Sequence, residues 1–251
     1  MCKDADPATT RQLGLPSTAV KAVAEEYRKS KEPRLNTTAE LVVLAFFFLL
    51  RVGEHTPNYD RTRKKRTVPL RRQDVRLWKG NSEISIEEQW ERLAEADGAT
   101  ITLENQKNGQ KGCVLHHTAT KDPSMCPVMA IARLVHASRG LPRSTGLGTF
   151  RKGGSDSGRV TANDIRAAVR QSVELDHLEA QGYDASRIGS HSLRSGGAIA
   201  LKLAGYDSDM IKKLGRWSSN TYLIYIQSQI AQLTAGVAEG MRKPLRWLQV
   251  G

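Results

Sequence analysis

The chain has 251 residues, of which 39% are hydrophobic and 25% are charged, a composition that supports a folded core and argues against wholesale disorder. Its 38 Lys and Arg outnumber its 26 Asp and Glu, and the resulting net charge of +12 favours a polyanionic partner. The three cysteines, Cys2, Cys113 and Cys126, lack CxxC spacing, which argues against a disulfide framework or a Cys-rich zinc module.

The sequence predicts neither a membrane span nor a signal peptide. Its most apolar run, residues 41–50, has ten residues, whereas a membrane-spanning helix needs about 20. The first fifteen residues carry charges and Pro7 where a signal peptide requires an apolar stretch. We therefore expect an intracellular protein, nuclear or cytoplasmic, without a membrane partner.

The spacing of apolar residues predicts a mainly α chain with a small antiparallel β-sheet, an α+β fold. The first helix is expected to follow Pro16 with Ser17 as its cap, and a Gly/Ser-rich loop is expected over residues 140–158. The predicted helices cover residues 17–29, 36–53, 126–139, 161–175, 190–204, 208–214 and 219–232.

The second predicted helix is the most apolar one. Thr37, with Glu40 three residues later, has the spacing of a capping box, and this places the start of the helix near residue 36. The apolar run then continues the helix to about Gly53. Arg51 and Glu54 are therefore expected at its far end, where Glu54 can hold the guanidinium of Arg51 in place.

A β-hairpin is predicted in the middle of the chain. Two β-like runs, residues 99–103 and 112–116, flank Asn108-Gly109, which is the strongest short-range hairpin signal that a sequence offers. Lys107 and Lys111 are expected at its tip, where a flexible ammonium group can move.

The segment from residue 60 to residue 79 is dense in Arg and Lys and contains two weak strand patterns, at residues 68–70 and 75–78. Its basic run is consistent with a nuclear localisation signal, a contact to a DNA backbone or a solvated loop. No metal site is expected, because no HExxH or paired ligand spacing joins the remaining histidines, His55, His116, His117, His136 and His177.

Two segments near the C-terminal end carry residues suited to chemistry on an anion. His191 and Arg194 are three residues apart at the start of a predicted helix, so imidazole and guanidinium share one face near the positive end of the helix dipole. The alternative is that they are surface residues beside a capping Ser190. Tyr222 and Tyr225 follow a turn, and a phenol can act as a nucleophile when nearby cations stabilise its phenolate. Alternatively, both tyrosines are core aromatics.

The order of these residues, Arg, Lys, His-x-x-Arg, Trp and Tyr, resembles the catalytic domain of tyrosine site-specific recombinases, the phage-integrase-like family. The resemblance extends from about residue 35 to about residue 232, and its last two phrases are most similar to recombinases of eukaryotic mobile elements of the Crypton kind. The five phrases are LLRVGEH, ENQKNGQKG, CPVMAIARL, IGSHSLRSGGAIALKLAG and IKKLGRWSSNTYLIYI.

The resemblance implies an enzyme that cuts and rejoins double-stranded DNA. Arg51 and Arg194 would clamp the scissile phosphate, and Lys107 would protonate the leaving 5′ oxygen. His191 would donate a hydrogen bond to the phosphate and assist removal of the proton from Tyr225. Tyr225 would then form a 3′-phosphotyrosyl intermediate. The scheme requires no cofactor and no metal.

Three assignments have rivals. The family places His or Trp about nine residues before the nucleophile, where this chain has Arg216 at nine and Trp217 at eight. We prefer Trp217, because its indole N–H can donate and its ring can pack. Tyr222 is the rival nucleophile, and Lys111 is the rival acid.

The resemblance also divides the chain into three parts. Residues 1–33 are expected to be an extension or linker with a short helix, residues 34–232 the catalytic domain, and residues 233–251 a tail. The tail passes to a neighbouring protomer or packs on its own domain, and a homo-oligomer, from dimer to tetramer, is expected on DNA. Alternative functions are a catalytically silent DNA-binding module and a DNA-relaxing enzyme similar to type IB topoisomerases.

Overall fold

The computed structural model describes residues 12–57, 67–105 and 111–226, and the account below concerns that part of the chain. The fold is mainly helical with small antiparallel sheets, as predicted. The helices are α1 (Ser17–Arg28), α2 (Pro33–Phe47), α3 (Val52–His55), α4 (Trp90–Leu93), α5 (Pro127–Ala137), α6 (Ala162–Leu175), α7 (Ser192–Leu203), α8 (Ser208–Gly215) and α9 (Leu223–Ile226). The strands are β1 (Val75–Lys79), β2 (Ser82–Ile84), β3 (Gly98–Asn105), β4 (Lys111–Thr118), β5 (Thr149–Gly153) and β6 (Asp156–Arg159).

Several predictions fall on residues outside these ranges. They are Lys107 with the hairpin tip at residues 106–110, the basic run at residues 58–66, the end of the last predicted helix and the tail at residues 233–251. The side chain of Tyr225 is likewise outside the description, although its backbone lies in α9.

Four strands form one antiparallel sheet in the order β2-β1-β3-β4. The pairing of β3 with β4, with Ile101 opposite Leu115, confirms the two strands of the predicted hairpin. Ile101 and Leu103 on β3 and Leu115 on β4 are buried, whereas the two neighbours of Leu115 on β4 are exposed. This alternation is expected of a sheet with one covered face. Helix α5 packs against β1, β3 and β4.

Helix α2 is the centre of the molecule, because α1, α5, α6 and α7 all pack against it. Even its one acidic residue, Glu40, is buried, and its carboxylate accepts two bonds of 2.8 Å from Arg28 and one of 3.4 Å from Arg133. These charge-assisted hydrogen bonds join α2 to α1 and α5. Within the described ranges, no helix is long and apolar enough to cross a membrane.

The boundaries of the second predicted helix were wrong at both ends. Pro33 opens α2, because proline fits the first helical position, and the Thr37 hydroxyl donates to the Pro33 carbonyl at 2.7 Å inside the helix instead of capping it. The helix ends at Phe47, since Leu49 has φ of 50° in the left-handed region. Arg51 is therefore the N-cap residue of a separate short helix, α3.

Other departures from the prediction are local. Pro16, not Ser17, is the N-cap residue of α1, and no side chain caps that helix. The expected loop over residues 140–158 contains the hairpin of β5 and β6, and residues 68–70 form no strand. Helices α5 to α8 are confirmed, including the cap of α6, where the Thr161 hydroxyl accepts from the N–H of Asp164.

The segment before α1 lies along the start of α7. The N–H of Leu13 donates to the Arg187 carbonyl at 2.8 Å, and the N–H of Leu15 donates to the Ser192 carbonyl at 3.0 Å. Gly196 on α7 permits this approach, because a Cβ there would overlap the backbone of Leu15. We call residues 12–15 the N-terminal strap.

Candidate active site

The first element of the site is the turn between α2 and α3, which carries Arg51. Glu54 is fully buried in this turn, and its carboxylate accepts from the backbone N–H of Arg51 at 2.8 Å and from Arg51 Nη1 at 2.9 Å. Arg51 itself remains partly exposed. The predicted pairing of Glu54 with Arg51 is present, and it orients a guanidinium that still reaches solvent.

Arg194 lies on α7, with 1% of its surface exposed. Its guanidinium donates to the carbonyls of Leu49 and Gly215, which belong to the other two segments of the site. The ring of Trp217 covers it, with the guanidinium carbon 4.3 Å from the ring centroid. Gly197 lets α7 approach the end of α2, because a Cβ there would overlap Phe46 and Leu49.

Arg216 follows α8 in the left-handed conformation, with φ of 56°. Its guanidinium points into the protein, where Nη2 lies 2.8 Å from Glu54 Oε2 and Nη1 lies 2.9 Å from the Phe48 carbonyl. Nη2 also donates to the Leu49 carbonyl at 2.9 Å. The loop after α8 is therefore tied directly to the loop after α2.

Glu54 is the negative centre of this cluster. Burial by itself would raise its pKa, but the guanidinium of Arg216 and the backbone N–H of Arg51 outweigh burial and lower the pKa below its usual value. The charge of Arg194 acts in the same direction. The carboxylate is therefore ionised at neutral pH, where it compensates part of the positive charge of the three arginines.

His191 lies at the N-cap position of α7, one helical turn before Arg194. Its side chain is partly exposed, and its backbone N–H donates to Gln12 Oε1 of the N-terminal strap at 3.0 Å. Imidazole and guanidinium thus start from the same turn of α7, as the HxxR spacing predicted.

The two candidate tyrosines differ in surroundings. Tyr222 is 1% exposed, and its ring centroid lies 5.7 Å from that of Trp217 inside a small cluster with Ile211 and Ile226. Tyr222 is therefore a core aromatic. Tyr225 belongs to α9, which packs against α7, the helix of Arg194.

An open groove of about 580 Å³ adjoins Arg216 and Trp217. Three lysines, Lys111, Lys212 and Lys213, line it against one aspartate, Asp209, so its charge is strongly positive. Lys111, the rival acid, thus belongs to the same region as the arginine cluster, whereas Lys107 is outside the described residues. We call this feature the lysine groove.

The structure brings together the segments of Arg51, Arg194, Arg216 and Trp217. Sequence reasoning did not find the ion pair between Arg216 and Glu54, the shared carbonyl of Leu49, or the bond from the strap to His191. The one available signal was the position of Arg216, nine residues before Tyr225. Among the described residues, no group of three or more His, Cys, Asp or Glu side chains could hold a metal ion.

No family model matches the chain, and no curated protein matches it. Two solved structures of XerH site-specific recombinase bound to difH substrate are similar in fold. The post-cleavage complex has a TM-score of 0.55 at 15% identity over 91% of this chain and 54% of that chain. The pre-cleavage complex has 0.53 at 13% identity over 93% and 56%. The fold is that of tyrosine recombinase catalytic domains. The chain spans about half the length of the XerH chains that it matches.

Proposed function

We propose that this chain is the catalytic domain of a tyrosine recombinase that cuts and rejoins double-stranded DNA through a 3′-phosphotyrosyl intermediate. One observation carries the proposal. Three segments far apart in sequence, those of Arg51, Arg194 and Arg216-Trp217, meet beside the lysine groove. Hydrogen bonds to Glu54 and the Leu49 carbonyl join them, and the ring of Trp217 covers Arg194. A cationic cluster with this positional order suits one backbone phosphate.

The proposed reaction exchanges one phosphodiester for another. The phenol oxygen of Tyr225 attacks phosphorus, and the bond from phosphorus to the 5′ oxygen breaks. The phenol proton leaves with assistance from His191, and Lys107 supplies a proton to the 5′ oxygen. Arg51 and Arg194 neutralise the charge that develops on the nonbridging oxygens. A second 5′ hydroxyl then attacks the phosphotyrosine and releases the enzyme, so no hydrolysis occurs.

The proposed partner is duplex DNA, and the proposed assembly is a dimer to tetramer on it. The net charge of +12 and the lysine groove support DNA as the partner. The two XerH structures are complexes with difH substrate. The relation to eukaryotic mobile elements rests on the wording of two phrases and stays a prediction.

Covalent trapping tests the proposal. The full chain is incubated with a pool of duplexes of randomised sequence that carry a 5′-bridging phosphorothiolate, whose thiol leaves without an acid and rejoins poorly. We expect a covalent adduct that peptide mapping assigns to Tyr225. Tyr225→Phe abolishes it, whereas the matched variant Tyr222→Phe retains it. An adduct that persists in Tyr225→Phe, or maps to another residue, contradicts the proposal.

A second candidate is a DNA-binding module without turnover. The burial of Arg194 favours it, because only 1% of this residue is exposed and two of its nitrogens donate to the carbonyls of Leu49 and Gly215. A phosphate has correspondingly little access to that guanidinium. DNA binding without an adduct from any duplex in the pool supports this candidate.

A further inference from the structure

Arg216 occupies the position at which the family resemblance expects a His or Trp that donates to the phosphate. Its side chain is only 1% exposed, and the partner carboxylate of Glu54 is 0% exposed. Its guanidinium donates hydrogen bonds to the Glu54 carboxylate and to the carbonyls of Phe48 and Leu49. These bonds, including an ion pair with a buried carboxylate, commit the guanidinium of Arg216 to protein acceptors.

We infer that Arg216 is a positioning residue, which holds Arg51 and Arg194 in place through Glu54 and the Leu49 carbonyl and does not itself bind DNA. The inference rests on the proposed function, because it concerns the arrangement of the two clamp arginines. It also assigns a role to a residue that neither the family pattern nor the sequence explains.

Two shared acceptors carry the argument. The Leu49 carbonyl accepts from both Arg194 and Arg216, so one oxygen fixes the spacing of α7 from the loop after α8. Glu54 Oε2 accepts from Arg216 and from the Arg51 backbone N–H, each at 2.8 Å, while Oε1 accepts from the Arg51 side chain at 2.9 Å. Arg216 is bonded to both acceptors.

The backbone geometry supports the same role. Leu49 and Arg216 are both non-glycine residues in the left-handed region, with φ of 50° and 56°. Such conformations cost free energy and persist only where surrounding contacts hold them. The hydrogen bond from Arg216 Nη2 to the Leu49 carbonyl at 2.9 Å connects the two turns, and the one from Nη1 to the Leu214 carbonyl at 3.0 Å lies within the second.

Charge points in the same direction. The groups that face Glu54 are Arg51 from its own turn, Arg194 from α7, Arg216 from the loop after α8, and the neighbouring ring of His55. Arg216 contributes the largest opposing effect to burial on the pKa of this carboxyl. Without Arg216 the pKa rises, and Glu54 loses its charge, and its hold on Arg51, at a higher pH.

The test compares Arg216→Met, Glu54→Gln and the double variant in the full chain. Adduct formation in a single turnover is measured on saturating phosphorothiolate DNA between pH 5 and pH 8, together with Kd. We expect each single variant to lower the rate roughly 10²-fold, the cost of misplacing a catalytic group, with little change in Kd. The double variant is expected to react about as fast as the slower single variant, because both changes break the same ion pair between Arg216 and Glu54.

Arg216→Met is also expected to lose rate at a higher pH than the unmutated chain as the solution is acidified. Arg216→Lys keeps a cation beside Glu54, but a lysine cannot bond to two carbonyls as well. We therefore expect a reduced rate that falls at the same pH as in the unmutated chain, that is, an unchanged acid limb of the pH–rate profile. It also serves where Arg216→Met does not fold, as judged by thermal denaturation. Arg166→Met, an exposed arginine on α6, is the matched control and leaves rate and Kd unchanged.

Three outcomes overturn the inference. They are a large loss of DNA affinity in Arg216→Met with a normal rate at saturation, a double variant whose loss is the product of the single losses, and an acid limb that is the same in every variant. An unmutated chain that gives no adduct contradicts the proposed function first and the inference with it, so the two failures are distinguishable.

Discussion

His55 is a fully buried histidine on the short helix that follows Arg51. Its Nδ1 lies 3.1 Å from the Arg51 carbonyl, and its Nε2 has no hydrogen-bond partner among the described residues. Burial lowers its pKa to about 4, because the nearby charge of Glu54 compensates only in part. The ring is therefore neutral at pH 7, and protonating it works against the folded state.

We predict that His55 makes stability depend on pH. An unfolded histidine takes up a proton near pH 6.5, whereas the folded one does so near pH 4. The free energy of unfolding therefore falls as the pH is lowered from about 6.5 to about 4, by up to about 3 kcal/mol. Urea denaturation at several pH values measures this slope.

His55→Leu is expected to flatten that slope, and His136→Gln, at an exposed position of α5, is expected to leave it unchanged. Equal slopes for the unmutated chain and His55→Leu would show that other groups set the pH dependence.

In the candidate site, the sequence predicted pairs of neighbouring residues better than long-range contacts. The HxxR spacing placed His191 and Arg194 on one turn, and the spacing of Arg51 and Glu54 predicted their pair. The bond between Glu54 and Arg216 joins residues 162 positions apart, and nothing in local periodicity specifies such a contact. It follows from how α2, α7 and α8 pack, which requires the tertiary structure.

At the level of elements, the contact between the N-terminal strap and α7 depends on glycine. Gly196 is buried at the second turn of α7, and the backbone of Leu15 occupies the space where its Cβ would be. A neighbouring backbone cannot rotate away as a side chain can. The amino end of α7, with His191 and Arg194, is therefore held by direct backbone contact.

We predict that Gly196→Ala destabilises the protein despite the higher helix propensity of alanine. The added methyl group displaces Leu15 and breaks its 3.0 Å bond to the Ser192 carbonyl, at a cost of about 1–3 kcal/mol, typical of overpacking. Thermal and urea denaturation measure the change. A helix-propensity effect alone would stabilise the variant by about 1 kcal/mol, so a gain in stability would contradict the contact.

Local signals predicted some elements correctly, although the capping-box spacing of Thr37 and Glu40 misplaced the start of α2, and elements defined by tertiary contacts were missed. Asn108-Gly109 marked the pair of β3 and β4, and Thr161 marked the start of α6. The end of α2 depends on the left-handed turn at Leu49, which Arg194 and Arg216 hold from other helices. The hairpin of β5 and β6 lies in a Gly-rich segment whose composition is typical of loops.

For the molecule as a whole, positive charge is the main expected determinant of DNA affinity. Each phosphate contact releases counterions, so log K falls with log salt by about 0.9 per contacted phosphate on duplex DNA. We predict that Lys213→Met, in the lysine groove, reduces this slope by about 1. Fluorescence anisotropy on a labelled duplex between about 50 and 200 mM salt measures this slope.

Lys29→Met is the matched control, because Lys29 is exposed directly after α1 and does not line the lysine groove. Its slope is expected to equal that of the unmutated chain. Binding that is insensitive to salt would contradict a groove that contacts the DNA backbone.

The strap has a practical consequence for anyone who trims this chain for expression. A fragment started at residue 34, where the predicted catalytic domain begins, would omit Gln12 and Leu15 and so remove two anchors of the turn that presents His191. Such a fragment would also lack α1, which packs against α2 and supplies Arg28 to the buried Glu40, so we expect it to be less stable as well as a poor catalyst. Inactivity of a shortened version would then reflect where it was cut and not what the natural polypeptide can do.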